Sequence, residues 1–333
     1  MRPEEPPLDP ERPIIDPHLH LWDVRPAPGA LQAPQRFLLP ELLETVEGSG
    51  HRVTHTIFVE CHAMYRTDGP PELRPLGETE FANGVAAMSA SGAYGPCRVA
   101  HRIVGHADLT LGAAVRPVLE AHLARAGERF RGVRCNTAFS AAGLFGAPCE
   151  ARVGEALRSA AFAEGARVLV DLDLSLDVWC LHTQLDDLTA LADAVPALTI
   201  VLDHLGTPDP RGRGEAEARR EWAERIAELA RRPNLRIKLG GLGMDITGPI
   251  PAEAGPATSE TLAARWRPYL ETCIAAFGAA RCMFESNFPP DKAAGSYGAA
   301  WNAFKRIAHG ASESEKDRLF RGTAAETYRI ALD

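Results

Sequence analysis

The stretch IIDPHLHLWD, residues 14–23, places a short apolar run directly before two histidines separated by one residue. The run Pro13–Asp16 predicts a buried β-strand. Residues i and i+2 of an extended chain point to the same side. His18 and His20 are therefore expected to converge on one ion or substrate where this first strand ends.

Seven further apolar, β-branched segments recur along the chain, and each ends where polar residues begin. They are Val53–Glu60, Arg98–Gly105, Gly132–Asn136, Ala166–Leu172, Thr199–Asp203, Leu235–Leu239 and Cys282–Glu285. Segments with helical periodicity lie between most of them: Arg116–Ala126, Arg152–Glu164, Gln184–Ala194, Arg219–Arg231 and Leu262–Phe277. Eight alternating strand–helix units predict an α/β fold, a closed (β/α)₈ TIM barrel. An open doubly wound sheet is the alternative, but no GxGxxG motif follows the first strand.

We interpret the whole chain, residues 1–333, as one barrel domain with residues 1–12 as a flexible N-terminal extension. Such barrels often exceed about 250 residues as a single unit. The segments Pro26–Pro40 and Thr247–Ser259 are rich in Pro, Gln or Gly and follow the first and seventh strands. They are expected to form loop excursions at the C-terminal face, where the active sites of such barrels lie.

Charge and composition exclude several classes of partner. The net charge of −8 argues against a nucleic-acid partner. The chain contains no run of about 18 apolar residues, the length needed to span a membrane. The acidic, Pro-rich N-terminus lacks the apolar core of a signal peptide. Seven cysteines without a CxxC pair argue against a disulfide framework. We expect a cytoplasmic protein that acts on a small molecule, either as a monomer or as a homo-oligomer.

Two residues at other strand ends are candidates for the same site. His204 follows the sixth predicted strand and is expected to face the mouth of the barrel together with His18 and His20. Arg134 ends the fourth strand, where its guanidinium could hold a substrate carboxylate. Pairing with an acid of the barrel is the alternative for Arg134.

The eighth strand ends with Glu285 and Asn287, and Asp291 lies just beyond it. A carboxylate at this position could accept a proton from an attacking water, whereas an amide could not. His62, Glu80, His182 and Asp291 are expected to line the substrate pocket, with Glu80 in a polar, loop-like segment. Glu60, His106, Asp108, Asp171, Asp173 and Lys238 also fall at predicted strand ends but are more typical of structural positions. No GxSxG, P-loop or HExxH motif occurs, which argues against nucleophilic-serine, P-loop and HExxH-zinc chemistry.

Several segments resemble the amidohydrolase-2 group of metal-dependent TIM-barrel hydrolases, in particular the branch of sugar lactonases and pyrone-dicarboxylate lactonase. They are IIDPHLHLWD (14–23), GVRCNTAF (132–139), VLDHLGTP (201–208), IKLGGLGM (237–244) and RCMFESNFPPDK (281–292). The resemblance implies that His18, His20 and His204 line the site, and that Arg134 holds a substrate carboxylate or the lactone carbonyl. In this branch the eighth strand usually ends in an aspartate that acts as general base and metal ligand, but Asn287 stands there in this chain.

The resemblance implies hydrolysis of a lactone or similar cyclic ester of a small organic acid by an activated water. The three histidines and Arg134 could stabilise the developing oxyanion directly. Alternatively, the histidines could bind one divalent ion, Zn²⁺ or Mn²⁺. Glu285, Asp291, Glu80 and a neutral histidine are the candidates for the base. A metal-dependent non-oxidative decarboxylase and a catalytically inactive binder of a small acid are the alternative functions.

Overall fold

The computed structural model describes residues 5–25, 35–212, 214–248 and 257–332. Eight parallel strands form one sheet in which each strand pairs with its neighbours along the chain. These barrel strands are Ile14–Leu19, Val53–Val59, Arg98–Gly105, Phe130–Asn136, Ser175–Trp179, Ile200–Leu202, Leu235–Leu239 and Cys282–Phe284. The predicted (β/α)₈ barrel is confirmed.

The barrel closes between the end of its first strand and the residues that follow its eighth strand. A parallel bridge joins Leu19 to Phe288. The backbone N–H of His20 donates to the Phe288 carbonyl at 2.8 Å, and that of Asn287 donates to the His18 carbonyl at 3.0 Å. The closure therefore runs through the two segments that carry candidate site residues, and it brings their backbones into direct contact.

Helices surround the sheet. They are Leu39–Gly48, Leu76–Ala90, Arg116–Ala126, Ala151–Glu155, Ala160–Asp171, Leu185–Ala194, Glu215–Leu229, Ser259–Phe277, Tyr297–Ile307, Glu313–Asp317 and Thr323–Tyr328. Because helices cover the outer face, barrel strands are buried on both sides, and this explains their nearly continuous apolar sequences. None of the described helices combines the length and the apolar character needed to cross a membrane.

The predicted fifth strand, Ala166–Leu172, is wrong because this segment belongs to the helix Ala160–Asp171. Phe162, Ala166 and Leu169 are buried at helical spacing, and the apolar run among them is equally compatible with a buried strand or a buried helix. The true fifth strand is Ser175–Trp179.

The predicted helix Arg152–Glu164 is also wrong, since a break at Ser159 separates Ala151–Glu155 from Ala160–Asp171. The Ser159 hydroxyl caps the second helix by accepting from the backbone N–H of Phe162, and serine is a favoured residue at that position.

Leu8 and Asp9 of the N-terminal segment contact the helix Tyr297–Ile307. The N–H of Leu8 donates to the Asn302 side chain at 2.7 Å, and the ammonium of Lys305 donates to the Asp9 carbonyl at 2.8 Å. Of the two expected excursions, residues 26–34 and 249–256 lie outside the described residues. All seven cysteines are free in the structure.

Candidate functional site

His18 and His20 converge at the end of the first barrel strand. Both side chains are buried, and their Nε2 atoms lie 3.3 Å apart. His20 Nδ1 lies 2.8 Å from the Val59 carbonyl oxygen. Because a carbonyl can only accept, Nδ1 of His20 carries the proton and its Nε2 presents a lone pair. Burial and the nearby charges of His18 and Arg134 hold the pKa of His20 well below its usual value.

His204 reaches the same place from the end of the sixth strand. Its ring centroid lies 4.5 Å from that of His18. The residue has a left-handed backbone (φ 53°, ψ 39°), and Leu205 follows with φ 58°. Such conformations cost of order 1–3 kcal/mol each and persist where the surroundings enforce them, often at functional sites. This turn directs the His204 ring toward the first strand.

Glu285, at the end of the eighth strand, contacts two of these histidines. Its Oε1 accepts from His204 Nδ1 at 2.7 Å and from the His204 backbone N–H at 3.2 Å. Its Oε2 lies 3.1 Å from His18 Nδ1. Burial by itself opposes ionisation, but the charges of His204 and His18 outweigh it and hold the pKa of Glu285 at about 2. The carboxylate is therefore ionised throughout the neutral range.

A charged cluster lies in the barrel interior and contacts His18. Lys238 Nζ is 2.6 Å from Asp177 Oδ2, 3.0 Å from Asp203 Oδ1 and 3.1 Å from His18 Nδ1. The Tyr328 hydroxyl donates to Asp177 Oδ2 at 2.6 Å. The sequence pattern predicts a structural role for Lys238 and no role for the other three residues. Asp177 was missed because the fifth strand was misplaced; an acid within the apolar run Ser-Leu-Asp-Val-Trp is the signal that could have found it.

Arg134 pairs with an acid of the barrel. Its Nε donates to Glu60 Oε1 and a terminal nitrogen donates to the Glu60 carbonyl, both at 2.5 Å. Both side chains are buried. Burial opposes the charge on Arg134, but Glu60 and Asp203 outweigh it and raise the pKa of the guanidinium. Of the two arrangements that the sequence allowed, the structure shows the ion pair, so the charge of Arg134 is already neutralised.

A cavity of about 530 Å³ opens over the ends of the second, third and fourth strands. Its lining includes His62, His106, Asp108, Asn136 and Arg152. The His62 ring lies 5.6 Å from that of His106, and His62 Nε2 lies 3.8 Å from the buried carboxylate of Glu60. The described lining carries no surplus of positive charge, because Arg152 pairs with Glu150 outside the cavity.

Tyr65 stands beside this cavity, with its ring 5.4 Å from that of His62. The Tyr65 hydroxyl and Glu60 Oε2 are buried and have no hydrogen-bond partner among the described residues. Buried polar atoms are normally paired. These two atoms are therefore candidates to bind a ligand hydroxyl or a water.

Two predicted substrate contacts lie elsewhere. Glu80 is not in a loop: it belongs to the helix Leu76–Ala90, and its exposed carboxylate accepts from Arg66 at 2.5 Å and from Arg125 at 2.8 Å. The segment around it, Gly77–Gly84, has a loop-like sequence because its glycines and Asn are poor helix formers, but burial of Leu76, Thr79 and Ala82 makes it helical. His182 is fully buried, and its Nδ1 accepts from the backbone N–H of Asp209 at 3.1 Å.

Asp171 and Asp173 precede the true fifth strand, Ser175–Trp179, and therefore do not lie at the end of it that faces the site. Both are on the surface, where they pair with Arg116 and Arg329 respectively. The prediction that they fall at a strand end is wrong, because it depended on the misplaced fifth strand.

Asn287 and Asp291 form a second polar pair after the eighth strand. Asn287 has a left-handed backbone (φ 50°), and its Nδ2 donates to Asp291 Oδ1 at 2.7 Å. Asp291 Oδ2 accepts from the backbone N–H of Gly243 at 2.9 Å. Burial raises the pKa of Asp291, and the charge of Glu285 adds to this effect, whereas the two hydrogen bonds and His18 lower the pKa. The net pKa is about 7. Asp291 can therefore exchange a proton near neutral pH.

The donor set around His18 fits a divalent cation. One potential ligand atom from each of His18, His204 and Glu285 lies within 4.8 Å of the other two. The 3.3 Å between the Nε2 atoms of His18 and His20 matches the separation, about 3.3 Å, of two nitrogens on one tetrahedral Zn²⁺ with bonds of roughly 2.0–2.1 Å. Glu285 Oε2 lies 3.1 Å and Asp203 Oδ1 3.4 Å from Nδ1 of His18, so two carboxylates face this ring.

The chain belongs to the amidohydrolase family, because the family model described as Amidohydrolase matches residues 15–330. A relative from Sinorhizobium fredii, named uncharacterized protein y4mH, is 32% identical over 332 residues, which cover 95% of this chain and 98% of the relative. The protein is thus an enzyme of the amidohydrolase superfamily, and the family resemblance inferred from the sequence motifs is confirmed.

Two other comparisons concern relatives with a named activity or metal. An L-fucono-1,5-lactonase from Burkholderia ambifaria is 33% identical over 162 residues, 47% of this chain and 51% of that enzyme. The match thus spans about half the length of the lactonase. A crystal structure of an amidohydrolase from Burkholderia multivorans with bound zinc has a TM-score of 0.72 at 26% identity, covering 96% of this chain and 100% of that chain.

Proposed function

We propose that this enzyme hydrolyses a lactone with an uncharged, hydroxyl-bearing ring, using a water activated at the histidine cluster. The observation that carries the proposal is the convergence of His18, His20 and His204 at the barrel mouth. The cavity of about 530 Å³ opens at the same end of the barrel. The likeness to an enzyme named as an L-fucono-1,5-lactonase supports the lactone class.

The pairing of Arg134 with Glu60 favours an uncharged ring. A free guanidinium would recognise a carboxylate by a bidentate pair, but here Glu60 already accepts from Nε and from one terminal nitrogen of Arg134. A substrate carboxylate would have to compete with an ionised acid already in place. Hydroxyl groups can instead bind to Tyr65 and to Glu60 Oε2, which have no hydrogen-bond partner among the described residues.

The histidines would hold one divalent ion, Zn²⁺ or Mn²⁺, through their Nε2 atoms. When bound, such an ion polarises a carbonyl and lowers the pKa of a bound water. His20 is suited to this role because its Nδ1 proton is held by the Val59 carbonyl. His204 is suited to it because its Nδ1 is held by Glu285. In both cases the outer hydrogen bond fixes the ring and leaves Nε2 for the ligand.

Asp291 is the base that we propose for the attacking water. Glu80 lies on the outer helix layer and pairs with two arginines, and Glu285 is held ionised between two histidines with a pKa of about 2. The pKa of Asp291, about 7, is suited to taking a proton near neutral pH and returning it to the alkoxide that leaves when the ring opens. Asn287 holds this carboxylate by donating to Oδ1.

The test is a pH-stat assay on aldono-1,4- and 1,5-lactones with purified protein, with added Zn²⁺ or Mn²⁺ and after chelation. We expect turnover that is lost on chelation and restored by metal. His20→Ala should abolish turnover, whereas the control His309→Ala, at an exposed histidine, should keep it. Turnover that survives chelation would overturn the metal requirement. Absence of lactone turnover would overturn the lactonase proposal; CO₂ release from aromatic acids would then indicate a decarboxylase, and binding without turnover an inactive binder.

A further inference from the structure

Glycines of the segment Leu239-Gly240-Gly241-Leu242-Gly243, after the seventh strand, lie in contact with candidate site residues. A Cβ at Gly240 would lie 2.3 Å from the Glu285 carbonyl oxygen and 2.5 Å from its Cγ. A Cβ at Gly241 would lie 2.4 Å from Nδ1 of His204. Protein interiors are close-packed, and such distances are far inside contact. A larger residue at Gly240 would displace the backbone and side chain of Glu285, and one at Gly241 would displace the His204 ring.

The two glycines differ in what else they require. Gly241 has φ +69°, a region that favours glycine, in addition to the close approach of the His204 ring. Gly240 does not have a left-handed φ, so only the approach of Glu285 restricts it. Gly278 provides the opposite case, with φ +74° and no described atom within 4 Å of the position that a Cβ would take. Conformational strain and steric displacement can therefore be separated by experiment.

Glu285 spans two histidines that come from opposite parts of the sequence. Its Oε1 accepts from His204 Nδ1 at 2.7 Å, and its Oε2 lies 3.1 Å from His18 Nδ1. Together with the bond from His20 Nδ1 to the Val59 carbonyl, an oxygen lies next to Nδ1 of each of the three rings. This is the arrangement by which outer groups orient metal-binding histidines.

Lys238 competes for the same nitrogen of His18, at 3.1 Å. An ammonium can only donate, so this contact requires a lone pair on His18 Nδ1. When His18 uses Nε2 as a ligand, its proton is on Nδ1 and faces Glu285 Oε2. Lys238 then keeps its contacts with Asp177 at 2.6 Å and Asp203 at 3.0 Å. Glu285 is the group that favours the ligand-competent tautomer of both rings.

We infer that Glu285 is a positioning residue that fixes the rings of His18 and His204 with Nε2 toward the barrel mouth, and that Gly240 and Gly241 provide the space for this unit. Glu285 does not act as the base, because both of its oxygens face histidine Nδ1 atoms. The inference rests on the proposed function only in that His18 and His204 are the metal ligands proposed there. The tautomers of the two rings and their affinity for zinc are independent of any substrate.

The first experiment is ¹⁵N NMR of ¹⁵N-histidine-labelled protein after chelation, which reports which ring nitrogen of His204 carries the proton. We expect the Nδ1-protonated form in the wild type. In Glu285→Gln we expect that form to fall relative to the Nε2-protonated form by roughly tenfold or more, the effect of losing a hydrogen bond to a charged group. Glu44→Gln, on the exposed side of the helix Leu39–Gly48, is the matched control and should leave the ratio unchanged.

The second experiment measures zinc affinity by competition with a chromophoric chelator. Gly240→Ala and Gly241→Ala should each weaken zinc binding by about 10–100-fold, as losses of outer-group support do, whereas Gly278→Ala should leave it unchanged. Glu285→Asp should recover part of what Glu285→Gln loses.

An unchanged His204 tautomer ratio in Glu285→Gln would overturn the inference. Equal zinc affinities in Gly241→Ala and Gly278→Ala would overturn the role of the glycines. Because the NMR measurement needs neither metal nor lactone, a failure of the lactone assay alone leaves this result decisive.

Discussion

The ammonium group of Lys238 lies 2.6 Å from the carboxylate of Asp177 in the barrel interior, and both side chains are fully buried. Asp203 adds a second carboxylate at 3.0 Å, and the Tyr328 hydroxyl donates to Asp177. Replacing one partner of a buried ion pair leaves the other charge uncompensated in a medium of low dielectric constant. This cluster therefore ties the stability of the barrel to the charge balance of its site.

Lys238→Met should lower the free energy of unfolding by about 3–5 kcal/mol, because Asp177 and Asp203 lose their cation. Urea denaturation followed by far-ultraviolet circular dichroism would measure the loss. Lys316→Met, which breaks an exposed pair with Glu313, should give no measurable change. Adding Asp177→Asn to Lys238→Met should recover part of the lost stability, and an unaltered midpoint in Lys238→Met would contradict the assigned role of the pair.

The rate of hydrolysis should depend on the charge of Asp291. Burial raises the pKa of this carboxyl, and the neighbouring groups that also shift it are Gly243, Asn287, Glu285 and His18. The resulting pKa is about 7. Only the deprotonated form accepts a proton, so kcat/KM should fall about tenfold per pH unit below pH 7. Asp291→Asn should remove this acid limb of the pH profile and lower kcat by about 10²–10⁴-fold. The control Asp68→Asn, at an exposed loop position, should keep the acid limb. An unchanged limb in Asp291→Asn would assign the base elsewhere.

Asn287→Asp should slow the enzyme at neutral pH instead of improving it. The change removes the amide that donates to Asp291 at 2.7 Å and places a second carboxylate there. Like charges at this distance raise one pKa of the pair, so the acid limb of kcat/KM should move to higher pH. Asn287→Ala removes the donor without adding charge and should shift the limb less. Faster hydrolysis by Asn287→Asp at pH 7 would show that the end of the eighth strand can itself supply the base.

Substrate preference should follow the pairing of Arg134 with Glu60. The wild type should hydrolyse an uncharged aldonolactone with a higher kcat/KM than a pyrone dicarboxylate. Glu60→Gln frees the guanidinium of a neutralising charge and should shift the ratio of the two kcat/KM values toward the dicarboxylate by roughly tenfold or more, equivalent to about 1.4 kcal/mol. Glu120→Gln, on the exposed face of the helix Arg116–Ala126, is the control. An unaltered ratio in Glu60→Gln would mean that Arg134 does not contact the substrate region.

Much of the architecture could be predicted from local sequence patterns. Seven of the eight barrel strands were placed correctly, because strands buried on both faces form short apolar runs between amphipathic helices. The fifth was misplaced: the run around Val168 and Leu169 satisfies a buried helix as well as a buried strand, whereas the real strand contains Asp177. The local sequence does not predict that Asp177 lies in a buried strand, because the partners that stabilise its charge, Lys238 and Tyr328, come from distant segments.

The sequence by itself determined the barrel and the convergence of His18 and His20, because the period of an extended chain is local. Only the tertiary structure decided the partners of each site residue. Glu285 meets His204 across 81 positions of sequence, Lys238 meets His18 across 220, and Arg134 meets Glu60 across 74. Closure of the barrel makes these contacts, and the charge and proton position of each group depend on the resulting distances and burial, which no local spacing encodes.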